Sequence, residues 1–490
     1  MNYIILIFIT TFLVLLNLII NIKNKLYFND LIILTIILSF NLVLTDNIIL
    51  SLLSTGILIF ILKTINEAKY KALNEFIVFS DIALFSQVFF YPRLYLPFLN
   101  LRLIIFILPI IFLLSYFLIF LLPKWSLSNH YFSYISLILL ISSELFYIKR
   151  IIFIDNISKS ISKYGLLTHL LKGLEVSIAQ INNKNFITDL NQKSFLQITP
   201  KKLDYKPVII TIQSESFFNP EKLQIDYKNS FLPIYKKILQ ESYQFGELKV
   251  PAWGANTMRS EFAFLSAIPN NLLGAIRYYP YLFLNRSSLV TLPNYLKQQD
   301  YYCICIHPYP SGFFRRNKVF KHLGFDLFLD IEQFQSAEKF GAYISDQAVA
   351  LKIIECIEYY TEKPLFIFAI TMENHGPLHL EKVSQNETYY YLKPNTIKKP
   401  HNLIAYLRHL ANADKMLEIV IQHLKQNSKP STLCFYGDHV PSMPDIYEEL
   451  DYKTPDTNYF IWHSYKKPTK QNNNKTIDIA ELAKDLLDGL

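Results

Sequence analysis

Long apolar stretches fill the first 150 positions of the chain, and a different pattern follows them. Residues 3–22 carry no charged side chain, and about 20 such residues cross a bilayer as a helix. Further apolar runs cover residues 31–44, 48–62, 103–122 and 132–148. A sixth run, residues 76–91, holds Asp81, so it crosses the membrane, re-enters it or lies at its surface. The pattern predicts a polytopic α-helical membrane domain over residues 1–150 with five or six spans.

Basic residues in the short loops predict which side of the membrane each loop faces. Lys23 and Lys25 mark one loop as cytoplasmic, and the lysines within residues 63–71 mark a second one. The turn at Asp46 between these two loops carries no positive charge. This fits an N-terminus on the outside. If residues 76–91 cross, the sixth span delivers everything after Lys149 to the outside; if they do not, that part is cytoplasmic, and the chemistry described below favours the outside.

From residue 206 onward the pattern changes to short buried strands that alternate with helices. Continuous β-branched and aromatic runs predict strands covered on both faces at residues 207–213, 301–306, 364–371 and 431–436. Helical patterns lie between them, for example at residues 346–360 and 402–423. Residues 206–490 therefore predict an α/β domain with a mainly parallel sheet. Residues 151–205, with an amphipathic stretch at 166–181, predict a connector along the membrane surface.

Ionisable residues follow each of these four strands. In open parallel sheets, ligands bind at the carboxyl ends of the strands, so these side chains are expected at one edge. They are Glu215, His307, His375, Asp438 and His439. Each alone also has an ordinary explanation as a helix cap, a turn residue or a satisfied loop histidine. Together, carboxylates and imidazoles are ligands of Mn²⁺, Mg²⁺ or Zn²⁺, and the sequence predicts a metal site.

A candidate nucleophile lies in residues 251–266, where a glycine-containing loop runs into an amphipathic helix with Thr257 near its start. The N-terminus of a helix favours an anion. A threonine hydroxyl bound to a divalent ion loses its proton more easily and can attack phosphorus. An ordinary helix cap at Asn256 or Thr257 explains the same pattern, and both explanations stay open at this point.

Composition narrows the class of protein. With 51% hydrophobic and 18% charged residues, the 490-residue chain is not a uniform soluble globule, and its 38 Phe and 33 Tyr exclude disorder. The net charge of +8 is spread along the chain, so no nucleic-acid partner is expected. The four cysteines are predicted to be buried core thiols. A P-loop, a G-x-G-x-x-G turn and a C-x-x-C pair are all missing from the sequence.

Three motifs carry a family resemblance: Gln213-Ser-Glu-Ser-Phe217, Gly254-Ala-Asn-Thr-Met-Arg-Ser-Glu-Phe262 and Tyr436-Gly-Asp-His439. They resemble motifs of the membrane-anchored phosphoglycerol transferases of the lipoteichoic acid synthase type, in the alkaline phosphatase/sulfatase superfamily. The resemblance implies that Thr257 is the nucleophile. It also implies a single metal ion, Mn²⁺ by resemblance with Mg²⁺ or Zn²⁺ also open. Its implied ligands are Glu215, Thr257, Asp438 and His439.

Residues 313–326 are similar to the family's aromatic-x-Arg segment, which precedes a Gly-aromatic-Asp. This likeness implies that Arg316 and Phe314 bind the phosphoglycerol headgroup, although the adjacent Arg315 leaves the assignment ambiguous by one residue. The planar guanidinium fork of an arginine suits a phosphodiester because it offers paired donors.

Residues 371–377 resemble the loop that bears the family's substrate-site histidine, here His375. The resemblance implies two steps: Thr257 takes phosphoglycerol from phosphatidylglycerol, and a hydroxyl of an envelope glycan or polyglycerol phosphate then takes it from the phospho-threonine. His375 or His307 would assist proton transfer. It also implies a multi-pass protein of the bacterial inner membrane, in contact with the lipid bilayer, with its catalytic domain outside.

Four other functions compete with this hypothesis. A sulfatase nucleophile derives from Cys or Ser before x-Pro-x-Arg, and Thr257-Met-Arg259 has neither feature. A phosphoethanolamine transferase would use the same threonine, metal and anchor, and another hydrolase of the superfamily acting on an envelope glycan stays possible as well. A catalytically inactive scaffold is expected to have lost a site residue, and all of them are present.

Overall fold

The computed structural model describes residues 2–21, 25–45, 47–98, 109, 130–196, 205–282, 289–466 and 473–490. The chain forms two compact units, residues 1–182 and 183–490. The boundary between them falls inside residues 151–205, the predicted connector. The predicted span at residues 103–122 lies outside the described residues, apart from residue 109.

The described part of the first unit is helical. Its α-helices are α1 (Asn2–Ile20), α2 (Phe28–Thr45), α3 (Ile48–Leu73), α4 (Phe85–Phe90), α5 (His130–Arg150), α6 (Ile157–Tyr164) and α7 (Leu166–Asn182), with 3₁₀ helices at Phe79–Leu84, Pro92–Leu94 and Leu96–Phe98. Among the described residues, α2 and α3 are long and apolar enough to cross a membrane, judged by length and composition alone. Leu34 of α2, Ile59 of α3 and Ile161 of α6 belong to one fully buried apolar cluster.

The segment that carries Asp81 is not one continuous helix. A six-residue 3₁₀ helix, Phe79–Leu84, is followed by the six-residue α4, and neither is long enough to span a bilayer. The Asp81 carboxylate accepts hydrogen bonds from Lys69 Nζ and from the backbone N–H of Val78, each at 2.8 Å. The Asp81 charge is therefore paired with that of Lys69.

A carboxylate of α2 caps the N-terminus of α7. Asp30 accepts hydrogen bonds from the backbone N–H of Leu167 at 3.2 Å and from the N–H and hydroxyl of Thr168 at 2.9 and 2.7 Å. Asn21 donates a further bond at 2.9 Å. These bonds satisfy donors that a helix start leaves without partners, and they hold α7 within the first unit.

The second unit contains an eight-stranded mixed sheet and a separate two-stranded hairpin. In chain order the strands are β1 (Val208–Ser214), β2 (Gln244–Lys249), β3 (Tyr302–Ile306), β4 (Leu327–Leu329), β5 (Lys339–Phe340), β6 (Tyr343–Ile344), β7 (Leu365–Ile370), β8 (Ser431–Gly437), β9 (Thr457–His463) and β10 (Ile477–Asp478). The large sheet has the order β10-β2-β9-β8-β1-β7-β3-β4, and only β9 runs antiparallel to its neighbours. The predicted α/β domain and its four strands are confirmed.

Helices cover both faces of this sheet. They are α8 (Phe186–Lys193), α9 (Pro233–Glu241), α10 (Met258–Ser266), α11 (Leu292–Lys297), α12 (Arg316–His322), α13 (Asp346–Tyr359), α14 (Gln385–Tyr391), α15 (His401–Gln426), α16 (Pro444–Glu449) and α17 (Ile479–Asp488), with 3₁₀ helices at Pro220–Leu223, Asn270–Tyr278, Pro280–Leu282, Phe313–Arg315, Ile331–Phe334 and Leu378–Leu380. Phe264 of α10 packs on Phe368 and Tyr436 with ring centroids 5.8 and 5.0 Å apart. The neighbouring residues on the two strands, Ile367 and Phe435, belong to the apolar cluster that includes α13 and α15. Burial on both faces explains why β1, β7 and β8 read as continuous apolar runs.

The four cysteines are buried and unpaired, as predicted. Cys303, Cys305, Cys356 and Cys434 form no disulfide. Burial raises the pKa of the Cys356 thiol to about 12, and it raises the pKa values of the other three as well. These thiols are packing residues of the second unit.

Candidate functional site

The four predicted strand ends lie side by side. Strands β8, β1, β7 and β3 are consecutive neighbours and run parallel, so their carboxyl ends share one edge of the sheet. The residues that follow these ends are Asp438 and His439, Glu215, His375 and His307, respectively. The prediction that one edge of the sheet collects them is confirmed.

Glu215, Asp438 and His439 form a buried cluster with the composition of a metal site. One ligand atom from each lies within 4.8 Å of the others. His439 Nε2 is 3.4 Å from Glu215 Oε1 and 3.3 Å from Asp438 Oδ2. Asp438 Oδ1 accepts the backbone N–H groups of Ser216 and His439 at 2.8 and 2.9 Å. Within the described residues, Asp438 Oδ2 accepts no hydrogen bond, and a divalent cation would satisfy this buried oxygen.

The ring of His439 is oriented as a ligand. Its Nδ1 lies 3.0 Å from the carbonyl oxygen of Val440. Because a carbonyl can only accept, Nδ1 carries the proton, and the lone pair is on Nε2, which faces Glu215 and Asp438. Such a bond on the far nitrogen is the usual way a protein fixes a metal-binding imidazole.

The electrostatics of the cluster favour a cation. Burial, and next the Asp438 carboxylate, raise the pKa of Glu215 above its ordinary value. Two buried carboxylates that repel each other are costly when both are ionised, and a bound divalent ion would offset that cost. The oxygen and nitrogen donors present fit Mn²⁺, Mg²⁺ or Zn²⁺.

Thr257 directs its hydroxyl at this cluster. Thr257 Oγ1 lies 3.5 Å from Glu215 Oε2 and 3.4 Å from His439 Nε2, and the side chain is buried. Thr257 immediately precedes α10, but its side chain makes no capping hydrogen bond to that helix. Of the two explanations that the sequence left open, the structure therefore favours the one in which the hydroxyl belongs to the site.

Two glycines of the motifs permit close backbone approaches here. Gly254 has a φ of 68° and donates its N–H to the carbonyl of Val440 at 3.0 Å. A Cβ on Gly437 would lie 1.7 Å from the carbonyl oxygen of Phe217. Only glycine fits at position 437 without a backbone shift, and the left-handed backbone at position 254 favours glycine. Both contacts bring the loops of the ligand residues together.

Arg316 is held by a buried ion pair that the sequence analysis did not predict. Its Nη2 donates to Glu261 Oε2 at 2.9 Å and its Nε to Glu261 Oε1 at 3.4 Å, and both side chains are almost fully buried. Nη1 lies 3.3 Å from His307 Nε2. The adjacent Arg315 is exposed, so Arg316 is the buried arginine of the two.

At Nε2, His307 accepts a hydrogen bond from Arg316. A guanidinium can only donate, so Nε2 carries the lone pair, and Nδ1–H points to the Ile370 carbonyl at 3.4 Å. Burial, and next the Arg316 charge, hold the pKa of His307 well below its usual value. These contacts favour a role in orienting Arg316 over a role in proton transfer.

His375 is the half-buried histidine of the edge. Its Nδ1 donates to the Gly376 carbonyl at 2.8 Å, which leaves the lone pair on Nε2, and burial lowers its pKa. The preceding Glu373 fixes the loop, because its carboxylate accepts hydrogen bonds from His409 at 3.1 Å and from Asn412 at 2.7 Å.

The Phe314 ring lies 5.2 Å from the Arg316 guanidinium carbon, a cation–π contact.

Sequence reasoning missed three residues that support the site. Glu261 holds Arg316, Glu373 holds the His375 loop, and the Ser260 hydroxyl donates to the Asp438 carbonyl at 2.5 Å. One signal was available: Glu261 follows Thr257 by four residues, and residues four apart share a face of a helix. Which residues these side chains contact depends on how segments that are distant in the chain pack together.

Fold and site together define an enzyme of the alkaline phosphatase/sulfatase superfamily. The sulfatase family model matches residues 207–490, more than half of the chain, and the chain belongs to this family. The chain is similar to the capsular polysaccharide biosynthesis protein RkpI of Rhizobium meliloti, with 26% identity over 418 residues, 81% of this chain and 74% of that protein.

A lipoteichoic acid synthase and a phosphoglycerol transferase are also similar to this chain. Lipoteichoic acid synthase 1 of Bacillus subtilis is 23% identical over 175 residues, which are 35% of this chain and 26% of that protein. The structure of the Streptococcus pyogenes phosphoglycerol transferase GacH in complex with sn-glycerol-1-phosphate has a TM-score of 0.49 and 24% identity, over 64% of this chain and 81% of that one.

Proposed function

We propose that this chain transfers a phosphoglycerol group from phosphatidylglycerol to a cell-envelope polysaccharide, through a phospho-threonine at Thr257. The observation that carries the proposal is the Thr257 hydroxyl, which contacts Glu215 and His439 and leaves its own helix uncapped. The motif resemblance and the similarity to a lipoteichoic acid synthase support the phosphoglycerol donor, and the name of the relative RkpI supports the polysaccharide acceptor. Mn²⁺ is the proposed metal.

In the first step, Thr257 Oγ attacks the phosphorus of the lipid, the bond between phosphorus and the diacylglycerol oxygen breaks, and diacylglycerol leaves with the proton that the threonine hydroxyl gives up. In the second step, an acceptor hydroxyl attacks the same phosphorus and the bond to Thr257 Oγ breaks. A bound divalent ion would favour ionisation of the threonine hydroxyl and neutralise charge on the phosphoryl group. Glu215, Asp438, His439 and Thr257 are the residues that would hold it.

Arg316 is the proposed contact for the phosphoryl oxygens. A guanidinium has five N–H donors. Within the described part of the chain, Glu261 accepts from two of them and His307 from one, which leaves two for a ligand. Because Glu261 and His307 fix the plane of the fork, the donors are oriented before the substrate arrives, as electrostatic stabilisation of a transition state requires. Phe314 would flank the headgroup on the same side.

His375 is expected to accept the proton of the acceptor hydroxyl. Because burial lowers its pKa, the imidazole should stay neutral, and activity persist, below pH 6.5. His375→Gln should lower the rate of transfer about 10²- to 10⁴-fold and remove the fall in activity that protonation of His375 causes at acid pH. Initial rates at saturating Mn²⁺ from pH 5 to 8 measure both. An acid limb that is unchanged in the variant would contradict this role.

The first unit is the proposed membrane anchor. Helices α2 and α3 have the length and composition of spans, and most of the exposed large apolar side chains of the described residues lie in this unit, including Phe28 and Phe89. Lipid tails would cover such side chains. A multi-pass position in the bacterial inner membrane, with residues 206–490 outside, brings the site to both a lipid donor and an envelope acceptor.

The proposal is tested by intact-mass spectrometry of the full chain. The protein in detergent is mixed with Mn²⁺ and phosphatidylglycerol and quenched with acid. We expect a gain of one phosphoglycerol unit, located on Thr257 by peptide mapping, that is absent from Thr257→Ala and retained by Thr291→Ala, a helix cap elsewhere in the domain. An adduct with phosphatidylethanolamine alone would assign the rival transferase, and no adduct with either lipid would contradict the proposal.

A further inference from the structure

A groove with polar and apolar lining residues is formed in part by segments that follow two of the site loops in the chain. It has a volume of about 530 Å³, within the range of about 300–1,000 Å³ typical of ligand sites. Its lining includes Gln385, Thr388, Asn402 and His401. The mechanism proposed above uses none of them.

The chain itself ties this groove to the catalytic edge. His379 in the groove wall follows His375 by four residues, a stretch that spans at most about 14 Å. Asp445, also in the lining, follows His439 by six residues, which reach at most about 21 Å. Two loops that begin at site residues therefore end in the groove wall.

The chemistry of the lining suits an uncharged, hydroxyl-rich ligand. Within the described residues, the carboxamide of Gln385 and the amide nitrogen of Asn402 make no hydrogen bond, so they can donate to or accept from hydroxyls. Lys399 and Asp445 face each other at 3.8 Å, so their charges balance. Burial, and next the nearby His401, lower the pKa of His379, which keeps its imidazole neutral.

An exposed aromatic ring extends this surface. Tyr389 follows Gln385 by four residues on α14, so both lie on one face of the helix together with Thr388. Its side chain is exposed. The C–H faces of sugar rings stack on aromatic rings.

We propose that this groove binds the acceptor as a neutral glycan chain and presents one of its hydroxyls to the catalytic edge. The inference rests on the proposed function. Oxygen of the bound glycan hydroxyl attacks phosphorus of phospho-Thr257, the phosphorus–Oγ bond breaks with its electron pair on Oγ, and the proton of the glycan hydroxyl passes to that oxygen by way of His375. The product is a phosphoglycerol ester of the glycan.

The role of this groove is tested by measuring how much of the phosphoglycerol group is transferred to a glycan and how much to water. The full chain in detergent receives Mn²⁺, glycerol-labelled phosphatidylglycerol and a neutral linear glucan hexasaccharide, and released glycerol phosphate and labelled hexasaccharide are counted. Gln385→Ala combined with Tyr389→Ala should lower the ratio of transfer to hydrolysis at least tenfold. Gln422→Ala, an exposed glutamine on α15 outside the groove, should keep the wild-type ratio.

Two outcomes overturn the inference: an unchanged ratio in the double variant, or transfer to a polyglycerol phosphate probe with none to the hexasaccharide. Saturation-transfer NMR of the hexasaccharide with the full chain gives a second readout that needs no catalysis. Its signal should be lost in the double variant, and a signal that persists counts against the groove. If the wild type neither hydrolyses nor transfers, the proposed function fails, and the NMR result alone decides on the groove.

Discussion

Asp438→Asn is expected to reduce transfer on the order of 10³-fold or more and to raise the melting temperature of the metal-free chain. Asp438 Oδ2 is buried without a hydrogen bond among the described residues, and the charge of Asp438 raises the pKa of Glu215. The amide removes one of two repelling charges, keeps Oδ1 for the two backbone N–H groups and offers a donor to His439 Nε2. A stabler chain that no longer holds the ion is the signature of a metal ligand.

Thermal melts of the full chain in detergent, with EDTA and with MnCl₂, measure this effect. At 100 times its dissociation constant, a bound ion stabilises the wild type by about 2.7 kcal/mol, and the variant should gain nothing. Asp451→Asn is the matched control, because Asp451 is exposed and pairs only with Lys453 among the described residues. A variant that still responds to Mn²⁺, or that melts below the wild type in EDTA, would rule out this assignment.

Glu261→Gln is expected to destabilise the second unit by about 3–5 kcal/mol, because it leaves the Arg316 charge buried without a counter-charge. The same change frees the guanidinium to rotate, so the KM for the lipid should rise as well. Thermal melts and initial rates of the full chain measure the two effects. Glu241→Gln, which breaks an exposed pair with Lys425, should cost no more than about 1 kcal/mol.

A double variant separates stability from function. Glu261→Leu with Arg316→Met replaces the ion pair by apolar side chains of similar volume, and such replacements often restore stability. We expect the melting temperature to recover most of its loss while lipid transfer is lost, because the guanidinium is gone. If transfer recovers too, Arg316 does not bind the phosphoryl group and the pair is purely structural.

The central strands and the edge they form could be predicted from the sequence because their signal is local. Strands β1, β3, β7 and β8 are buried on both faces and read as unbroken apolar runs. The outer strands carry no such signal. Strand β2 alternates between buried and exposed residues, and β10 has two residues, so each forms only because a neighbour supplies hydrogen bonds.

The support of the site was harder to predict than the site itself. The site residues can be identified by their position directly after a strand, because the carboxyl ends of parallel strands meet at the same edge of the sheet. The Glu261–Arg316 pair joins residues 55 positions apart, and its existence depends on how α10 packs against α12. Pairing of this kind is decided by tertiary packing, which no local pattern records.

The four buried thiols have a practical consequence for finding the orientation of this chain. A membrane-impermeant maleimide reacts with exposed thiolates, and burial shields every native cysteine while raising its pKa. The native cysteines are therefore expected to contribute little signal in a surface-labelling experiment. A single cysteine placed at the exposed Lys415 of α15 would be the one thiol that the reagent reaches, and its labelling in intact cells would report directly on which side of the membrane the catalytic unit faces.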